Sequence, residues 1–130
     1  MRERYIYKLL LLAFGIFLLP KIIFAATLYF TSSSQNIYNG DTFIIEARIS
    51  SPDKLINVID GAFLFDPDKI MVKELSTGGS IFPLWAQKPV FSNAEGKITF
   101  VGGTPDGFQG EKGIILRAIF TAQDEGEAQL

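Results

Sequence analysis

The stretch that decides the fold is Thr42 to Ser50, which reads TFIIEARIS. Apolar residues occupy every second position of it, namely Phe43, Ile45, Ala47 and Ile49. A period of two places these side chains on one face of a half-buried β-strand. Turn-forming residues bound the stretch on both sides, with Asn39-Gly40-Asp41 before it and Ser51-Pro52-Asp53 after it. The sequence therefore predicts a strand with one face in the core.

The same β pattern continues on both sides of this stretch, in short runs separated by turn residues. The predicted strands cover 27–31, 57–65, 70–75, 90–92, 97–102 and 113–120, and another one starts at 127. The Gly-rich segment 104–112 is predicted to be a polar loop. No amphipathic helix follows residue 26. Short strands at this spacing are typical of an all-β sandwich or barrel, and we predict an antiparallel β-sandwich.

The first 25 residues have the composition of a secretory leader. Three basic residues and a single acid precede an apolar run over 9–19, and Ala25 offers a small residue for cleavage. A basic start, a short apolar centre and a small-residue exit mark a signal peptide. The apolar run is shorter than the roughly 20 residues that span a bilayer, which favours cleavage. An uncleaved membrane anchor is the alternative. We expect an exported, secreted or cell-surface protein with one domain over 26–130.

The composition also limits the catalytic and metal-binding sites that the chain can form. It has no histidine and no cysteine, which excludes Ser-His-Asp triads, Cys-His pairs and the usual zinc sites. Asp66 and Asp68 lie in turn-like surroundings without the ligand spacing of a calcium loop. The mildly acidic charge does not favour nucleic acid. We expect no enzymatic activity, no cofactor, no metal site and no nucleic-acid partner.

Five further sequence features follow one another in a fixed order. They are a Gly-Asp opening of a strand at 38–43, an apolar strand that runs into Asp66-Pro67, a strand at 96–100 before the Gly-rich loop, a Gly-led strand at 113–120 and the start of a closing strand pair at 126–130. Their order and spacing resemble those of a cohesin domain, the jelly-roll module best known from cellulosome scaffolds. The likeness covers about residues 27–130. It implies a nine-stranded sandwich that lacks its last strand or strands in this chain.

The resemblance implies a non-catalytic module in an extracellular polysaccharide-degrading or cell-surface assembly. Cohesins bind a small calcium-loaded protein module, the dockerin, on the face of one sheet. When the family pattern is matched at Asp66-Pro67, Asp60 falls where dockerin-binding cohesins often carry a strand aspartate that faces the partner. The family often has an asparagine two positions earlier, where this chain has Val58. A carbohydrate-binding module and a structural domain of an adhesin or envelope protein are the alternatives.

Strand alternation extends this predicted site beyond Asp60. It turns two more residues of the same strand outward, and it turns every second residue of the strand 113–120 outward as well. The predicted partner-binding residues are Asp60, Ala62, Leu64, Ile115, Arg117 and Ile119. We expect them to form one apolar patch with the two charged residues as polar handles, and contiguous apolar patches mark interaction sites.

Trp85 is the one residue that suggests a different partner. A tryptophan beside Pro83 could stack on a sugar ring, which is the basis of the carbohydrate-binding alternative. A single tryptophan in an apolar cluster more often covers the core, and this is the favoured interpretation. The expected partner is thus a dockerin-like protein module or a polysaccharide. A membrane contact is expected only through the N-terminal segment, if that segment is not cleaved.

Overall fold

The computed structural model describes residues 25–123, and these residues contain strands, turns and loops but no helix. The five strands of this part are β1 (Thr27–Ser32), β2 (Thr42–Leu64), β3 (Ile70–Ser76), β4 (Leu84–Ser92) and β5 (Lys97–Ala122). All their pairings are antiparallel. Nothing between residues 25 and 123 forms a helix that could cross a membrane. The predicted leader up to residue 24 and the predicted closing strand at 127–130 lie outside the described residues.

The five strands form one hydrogen-bonded sheet that folds over into two packed layers, because the long strands β2 and β5 run through both; we call these layers the first and the second sheet. In the first sheet, the first half of β2 pairs with the second half of β5, and β1 and β3 flank this pair. In the second sheet, residues 58–64 of β2 pair with residues 97–103 of β5, and β4 pairs with the same part of β5. Register shifts between Ile49 and Val58 mark the crossing of β2 from one sheet to the other.

The crossing corrects two of the predicted boundaries. Ser51-Pro52-Asp53 was expected to end a strand, and 104–112 was expected to be a loop. Both segments instead continue β2 and β5 as irregular strand. Turn residues at these positions bend each strand rather than end it, because the backbone still finds partners across the bend, as Ser51 does opposite Gly110.

The two sheets pack face to face through aromatic rings. Phe63 of the second sheet meets Phe30 of β1 edge-on with ring centroids 5.0 Å apart, and Phe65 meets Phe120 of β5 at 5.3 Å. The alternating residues predicted to face the core from β2, namely Phe43, Ile45, Ala47 and Ile49, are all buried. Each isoleucine or phenylalanine among them stabilises the fold by about 1.5–3 kcal/mol when fully buried. The predicted antiparallel β-sandwich is confirmed.

Candidate functional site

The outer surface of the second sheet carries six aliphatic side chains, which are interspersed with four polar ones. Cα pairing aligns Asp60 with Val101 and Gln87, and it aligns Ala62 with Thr99 and Val90. Paired residues of neighbouring antiparallel strands share a face. We call this surface the aliphatic face; it consists of Val58, Asp60, Ala62 and Leu64 of β2, Lys97, Thr99 and Val101 of β5, and Leu84, Gln87 and Val90 of β4.

Exposure of the aliphatic face is what distinguishes it. Val58, Leu64 and Leu84 keep 67%, 63% and 57% of their surface exposed. The outer side of an antiparallel sheet is normally polar, because water rather than protein covers it. Here the side chain of Gln87 donates one hydrogen bond to Thr99 Oγ1 at 3.1 Å, and six of the ten residues of the face are aliphatic. Exposed aliphatic side chains on a sheet face make this surface the candidate interaction site of the domain.

Asp60 is the one carboxylate within the aliphatic face. It is exposed, and its Cα is aligned with that of Val101, which is half-buried. Within residues 25–123 its carboxylate has neither a hydrogen-bond partner nor an ion-pair partner. Both oxygens are therefore available to a donor that approaches from outside. Ala62 and Leu64, predicted to share this face, are also exposed, whereas Phe63 and Phe65 between and beyond them are buried.

The other half of the predicted patch lies on the opposite side of the molecule. Arg117 is paired with Glu46, and Ile119 is paired with Ile44, in the first sheet. The inner faces of the two sheets contact each other, so their outer faces point in opposite directions. The prediction of one contiguous patch was therefore wrong. The reason is that β2 and β5 change sheets, which separates residues that strand alternation alone places side by side.

Ile115 requires a second correction, because it faces the core instead of water. Its side chain is 0% exposed. The pairing steps from Ala47 opposite Leu116 to Arg48 opposite Ile114, which leaves Ile115 as the extra residue of a β-bulge. A bulge interrupts alternation, so that Ile115 and Leu116 both point inward. Beyond the bulge the predicted alternation holds.

The outer surface of the first sheet is organised by one carboxylate between two arginines. Glu46 Oε1 accepts a hydrogen bond from Arg117 Nε at 2.7 Å, and Glu46 Oε2 accepts one from Arg48 Nη2 at 2.6 Å. The same arginines donate to the backbone carbonyls of Gly78 and Lys112. The hydrogen bond from Arg117, followed by that from Arg48, lowers the pKa of Glu46 below its ordinary value of 4.5. This surface, the ion-paired face, consists of Ile44, Glu46, Arg48, Arg117 and Ile119.

The Arg117 side chain is therefore held by hydrogen bonds within the fold and is not free to contact a partner. Two of its nitrogens already donate hydrogen bonds, one to Glu46 and one to Gly78. A partner that approached it would have to replace contacts that the fold already makes. Ile119 beside it is half-buried between Ile44 and Glu74 of the neighbouring strands.

Trp85 lies on the inner side of the second sheet and not on the aliphatic face. It is paired with Gly102, whose buried position belongs to the core side of β5. A Cβ atom at Gly102 would come within 2.8 Å of the indole ring and within 3.2 Å of Phe82 Cβ. The indole also meets the Phe82 ring edge-on at a centroid distance of 6.3 Å. Trp85 thus packs over a position that only glycine leaves open.

Acidic residues form no metal site in the described part of the chain. Residues 25–123 contain no group of three or more acidic side chains that could hold an ion. Asp66 Oδ1 accepts a hydrogen bond from the Asp68 amide at 2.9 Å, and the Asp66 carbonyl accepts from the amides of Lys69 and Ile70. These contacts give Asp66 the role of a turn residue.

Sequence reasoning missed the contribution of β4 to the aliphatic face. Only 90–92 were predicted to be a strand there, because Pro89 interrupts the pattern. Proline is tolerated in an edge strand, and β4 is one in the described sheet. The signal that could have found this strand is the segment 84–90, LWAQKPV, which contains no turn residue other than Pro89.

Comparison with known proteins rests on structure alone, because no protein-family model and no curated protein matches this sequence. The crystal structure of cohesin CaCohA2 in complex with CaDoc0917 at pH 5.5 is similar over 78% of this chain and 75% of that chain, with 18% identity and a TM-score of 0.57. The solution structure of CaCohA2 from Clostridium acetobutylicum is similar over 75% and 66%, with 19% identity and a TM-score of 0.53. The chain has the fold of a cohesin domain.

Proposed function

We propose that this protein is an exported, non-catalytic binding module of the cohesin type, and that its aliphatic face docks a dockerin-like protein module. The observation that carries the proposal is the exposed hydrocarbon of Val58, Leu64 and Leu84 around the unpaired carboxylate of Asp60. A surface of this kind has no stabilising role in the isolated domain. Its side chains contribute favourable free energy only when they are buried against another surface.

The energetics favour a protein partner on this face. Burial of apolar surface contributes about 25 cal/mol per Å², and each fully covered valine or leucine contributes about 1.5–3 kcal/mol before the costs of association. Valine, alanine and leucine lose little side-chain entropy when they are covered. A rigid sheet that presents them is thus organised for docking before the partner arrives.

The side-chain chemistry of the face supports a protein rather than a glycan. Sugar rings stack on flat aromatic surfaces, and the aliphatic face has no aromatic residue. Trp85, the candidate for stacking, packs inward over Gly102. The similar structure of CaCohA2 is a complex with CaDoc0917, which supports a partner of the dockerin class. Asp60 then supplies an acceptor for a hydrogen-bond donor or cation of that partner.

Non-catalytic function and export belong to the same proposal. The absence of histidine and cysteine removes the commonest general bases and nucleophiles. The basic and apolar composition of the first 25 residues supports export. Together they favour attachment in an extracellular polysaccharide-degrading or cell-surface assembly.

The test measures binding to dockerin-type modules encoded by the same organism. The protein is produced with its own leader, purified from the exported fraction and titrated by calorimetry. We expect Asp60→Lys and Leu64→Lys each to weaken binding by roughly 100-fold, because each places a charge where hydrocarbon or a donor must fit. Ile44→Lys, a matched aliphatic-to-lysine change on the ion-paired face, should leave the affinity within about twofold.

Three results would overturn the proposal. Equal losses in all three variants would place the binding surface elsewhere. Binding of a glycan array that Trp85→Ala abolishes, without dockerin binding, would favour the carbohydrate-binding alternative. A folded protein that binds neither class would favour a structural domain of an adhesin or envelope protein.

A further inference from the structure

The turn before β2 contains the dipeptide Asn39-Gly40, which belongs to neither outer face. Asparagine followed by glycine is the pair in which a backbone amide most readily attacks a side-chain amide, because glycine has no side chain to obstruct the approach. The attack leads to deamidation, which converts the asparagine into aspartate or into its β-linked isomer. The conformation of the turn decides whether the two groups can meet.

The turn is of type II, with Asn39 as its second residue and Gly40 as its third. The Asp41 amide donates a hydrogen bond to the Tyr38 carbonyl at 3.0 Å, which closes a four-residue turn. Gly40 has a φ of 87°, and no residue other than glycine between 25 and 123 has a positive φ. A positive φ at the third residue alone identifies type II, in which ψ of the second residue is about +120°.

Two backbone hydrogen bonds tie this turn to the end of β5. The Gly40 amide donates to the Ala122 carbonyl at 2.8 Å, and the Ala122 amide donates to the Asp41 carbonyl at 2.9 Å. Within the turn, the Tyr38 amide donates to Asp41 Oδ2 at 2.9 Å. The nitrogen that would attack Asn39 is therefore the one that already donates its hydrogen to Ala122.

Deamidation requires a different conformation at Asn39. The Gly40 nitrogen must bond to Asn39 Cγ, and the resulting five-membered ring holds this nitrogen and Cβ on the same side of the Cα–C bond. For an L-residue this corresponds to a ψ of about −120°, the value found in the mirror-image turn. The peptide group between Asn39 and Gly40 must then rotate by about 120° from its type II orientation, which breaks the hydrogen bond to Ala122.

We propose that Asn39 is a deamidation site that the folded turn protects, and that it reacts when the turn separates from β5. The Gly40 nitrogen loses its proton and bonds to Asn39 Cγ, the Cγ–Nδ2 bond breaks, and ammonia leaves. One water molecule then opens the cyclic imide at either of its two carbonyls. The product is aspartate, or isoaspartate, in which the main chain runs through Cβ and Cγ.

Reaction at Asn39 would alter the first sheet permanently. Isoaspartate adds one methylene group to the main chain, and either product adds one negative charge. The longer main chain shifts Gly40 and Asp41 relative to Ala122, so that the two hydrogen bonds between the turn and β5 cannot both form again. The inference goes beyond the proposed function, because the turn lies outside the aliphatic face and its reaction needs no partner.

The test follows deamidation at each asparagine by mass spectrometry of proteolytic peptides. The full-length exported protein is incubated at mildly alkaline pH, once in buffer and once in urea. Asn39 should deamidate at least about tenfold more slowly in buffer, because only molecules with an open turn react. In urea it should react faster than Asn36, Asn57 and Asn93, which precede residues larger than glycine.

Asp41→Ala separates the effect of this turn from a general effect of folding. It removes the acceptor of the Tyr38 amide, and Asn39 should then deamidate at least about threefold faster in buffer. Asp66→Ala removes a similar hydrogen bond, from the Asp68 amide, in another turn and should react like wild type. In urea all three proteins should react at the same rate, because these contacts exist only in the fold. Circular dichroism verifies that both variants are folded in buffer.

The inference fails on any of three observations. The first is equally fast deamidation of wild-type Asn39 in buffer and in urea, and the second is no deamidation of Asn39 in urea. The third is an equal rate for folded Asp41→Ala and folded Asp66→Ala. No partner is present in these measurements, so this inference and the proposed function fail independently.

Discussion

The outer faces of the two sheets are built by the same two strands and yet differ in chemistry. On the first sheet, β2 and β5 present Glu46, Arg48 and Arg117, which satisfy one another at 2.6–2.7 Å. On the second sheet the same strands present Val58, Ala62 and Leu64 around an unpaired Asp60. The charged groups of the first face are therefore satisfied without a partner. On the second face, aliphatic side chains remain exposed.

The contrast sets the proposed binding surface apart from the face that ion pairs organise. Both outer faces are backed by one core, in which Phe65, directly after β2, contacts Phe120 of the first sheet. Substitutions on either outer face should therefore leave the core intact. A substitution on the inner side of one sheet should lower the stability of the whole domain. The predictions below test this separation at decreasing size of effect.

Gly102→Ala should cause the largest loss of stability, because the added methyl group lies on the core side of the second sheet. The new methyl group would lie 2.8 Å from the indole of Trp85 and 3.2 Å from Phe82 Cβ. Relief requires the ring to move outward, and we expect a loss of about 1–3 kcal/mol in the free energy of unfolding. Trp85 is the only tryptophan, so its fluorescence should shift to the red in the folded variant.

The control for this change is Gly103→Ala, at the adjacent position. There the nearest atom to an added Cβ is a backbone oxygen at 3.5 Å, an ordinary contact distance. Its stability and tryptophan spectrum should match wild type. An unshifted spectrum in Gly102→Ala would contradict the packing described for Trp85.

Glu46→Gln should have an intermediate effect, confined to the ion-paired face. The change leaves Arg48 and Arg117 without their shared carboxylate, and we expect a loss of about 1–2 kcal/mol near neutral pH. A carboxyl group whose folded-state pKa is lowered stabilises the fold fully above its unfolded value, near 4.5 for Glu46. That contribution disappears as the pH falls from 4.5 through the folded-state pKa.

The measurement is urea denaturation of both proteins between about pH 7 and pH 3. The stability difference between wild type and Glu46→Gln should be constant above the ordinary pKa and should shrink below it. Other carboxylates titrate in both proteins and cancel in the difference. A difference that is unchanged down to pH 3 would contradict the role of the two arginines.

Lysine substitutions on the aliphatic face should have the smallest effect on stability. Leu64→Lys with Leu84→Lys should change the free energy of unfolding by no more than about 0.5 kcal/mol, because both side chains are largely exposed. The same pair should at least halve the fluorescence of a bound hydrophobic dye. Ile44→Lys with Thr31→Lys, on the first sheet, should leave dye fluorescence unchanged. Equal dye binding by both pairs would mean that the two outer faces do not differ as described.

Much of the fold follows from local pattern. The alternation from Phe43 to Ile49 predicts one buried face, and the structure buries all four apolar residues of it. The outward positions of Asp60, Ala62 and Leu64 also follow from alternation, since Phe63 and Phe65 are held in the core. Such predictions succeed because the period of a strand is a property of the backbone itself.

The set of residues that form the site was harder to predict from the sequence, for two reasons. The bulge that buries Ile115 depends on which strand lies opposite, because an extra residue has meaning only relative to a partner. The exclusion of Arg117 and Ile119 from the aliphatic face depends on the crossing of β2 and β5 between sheets. Neither event changes the local residue pattern, so neither is visible in it.

The sequence by itself determined an all-β chain with an apolar core, turn residues at the strand ends and no histidine or cysteine for catalysis. Tertiary structure alone decided which outward residues become neighbours, because β2 and β5 pair across dozens of positions and the bends at Ser51 and Gly110 set the faces. The alternation of side chains is local, whereas a surface is a sum of contacts between distant strands. For that reason the aliphatic face could be assembled only once β2, β5 and β4 were placed side by side.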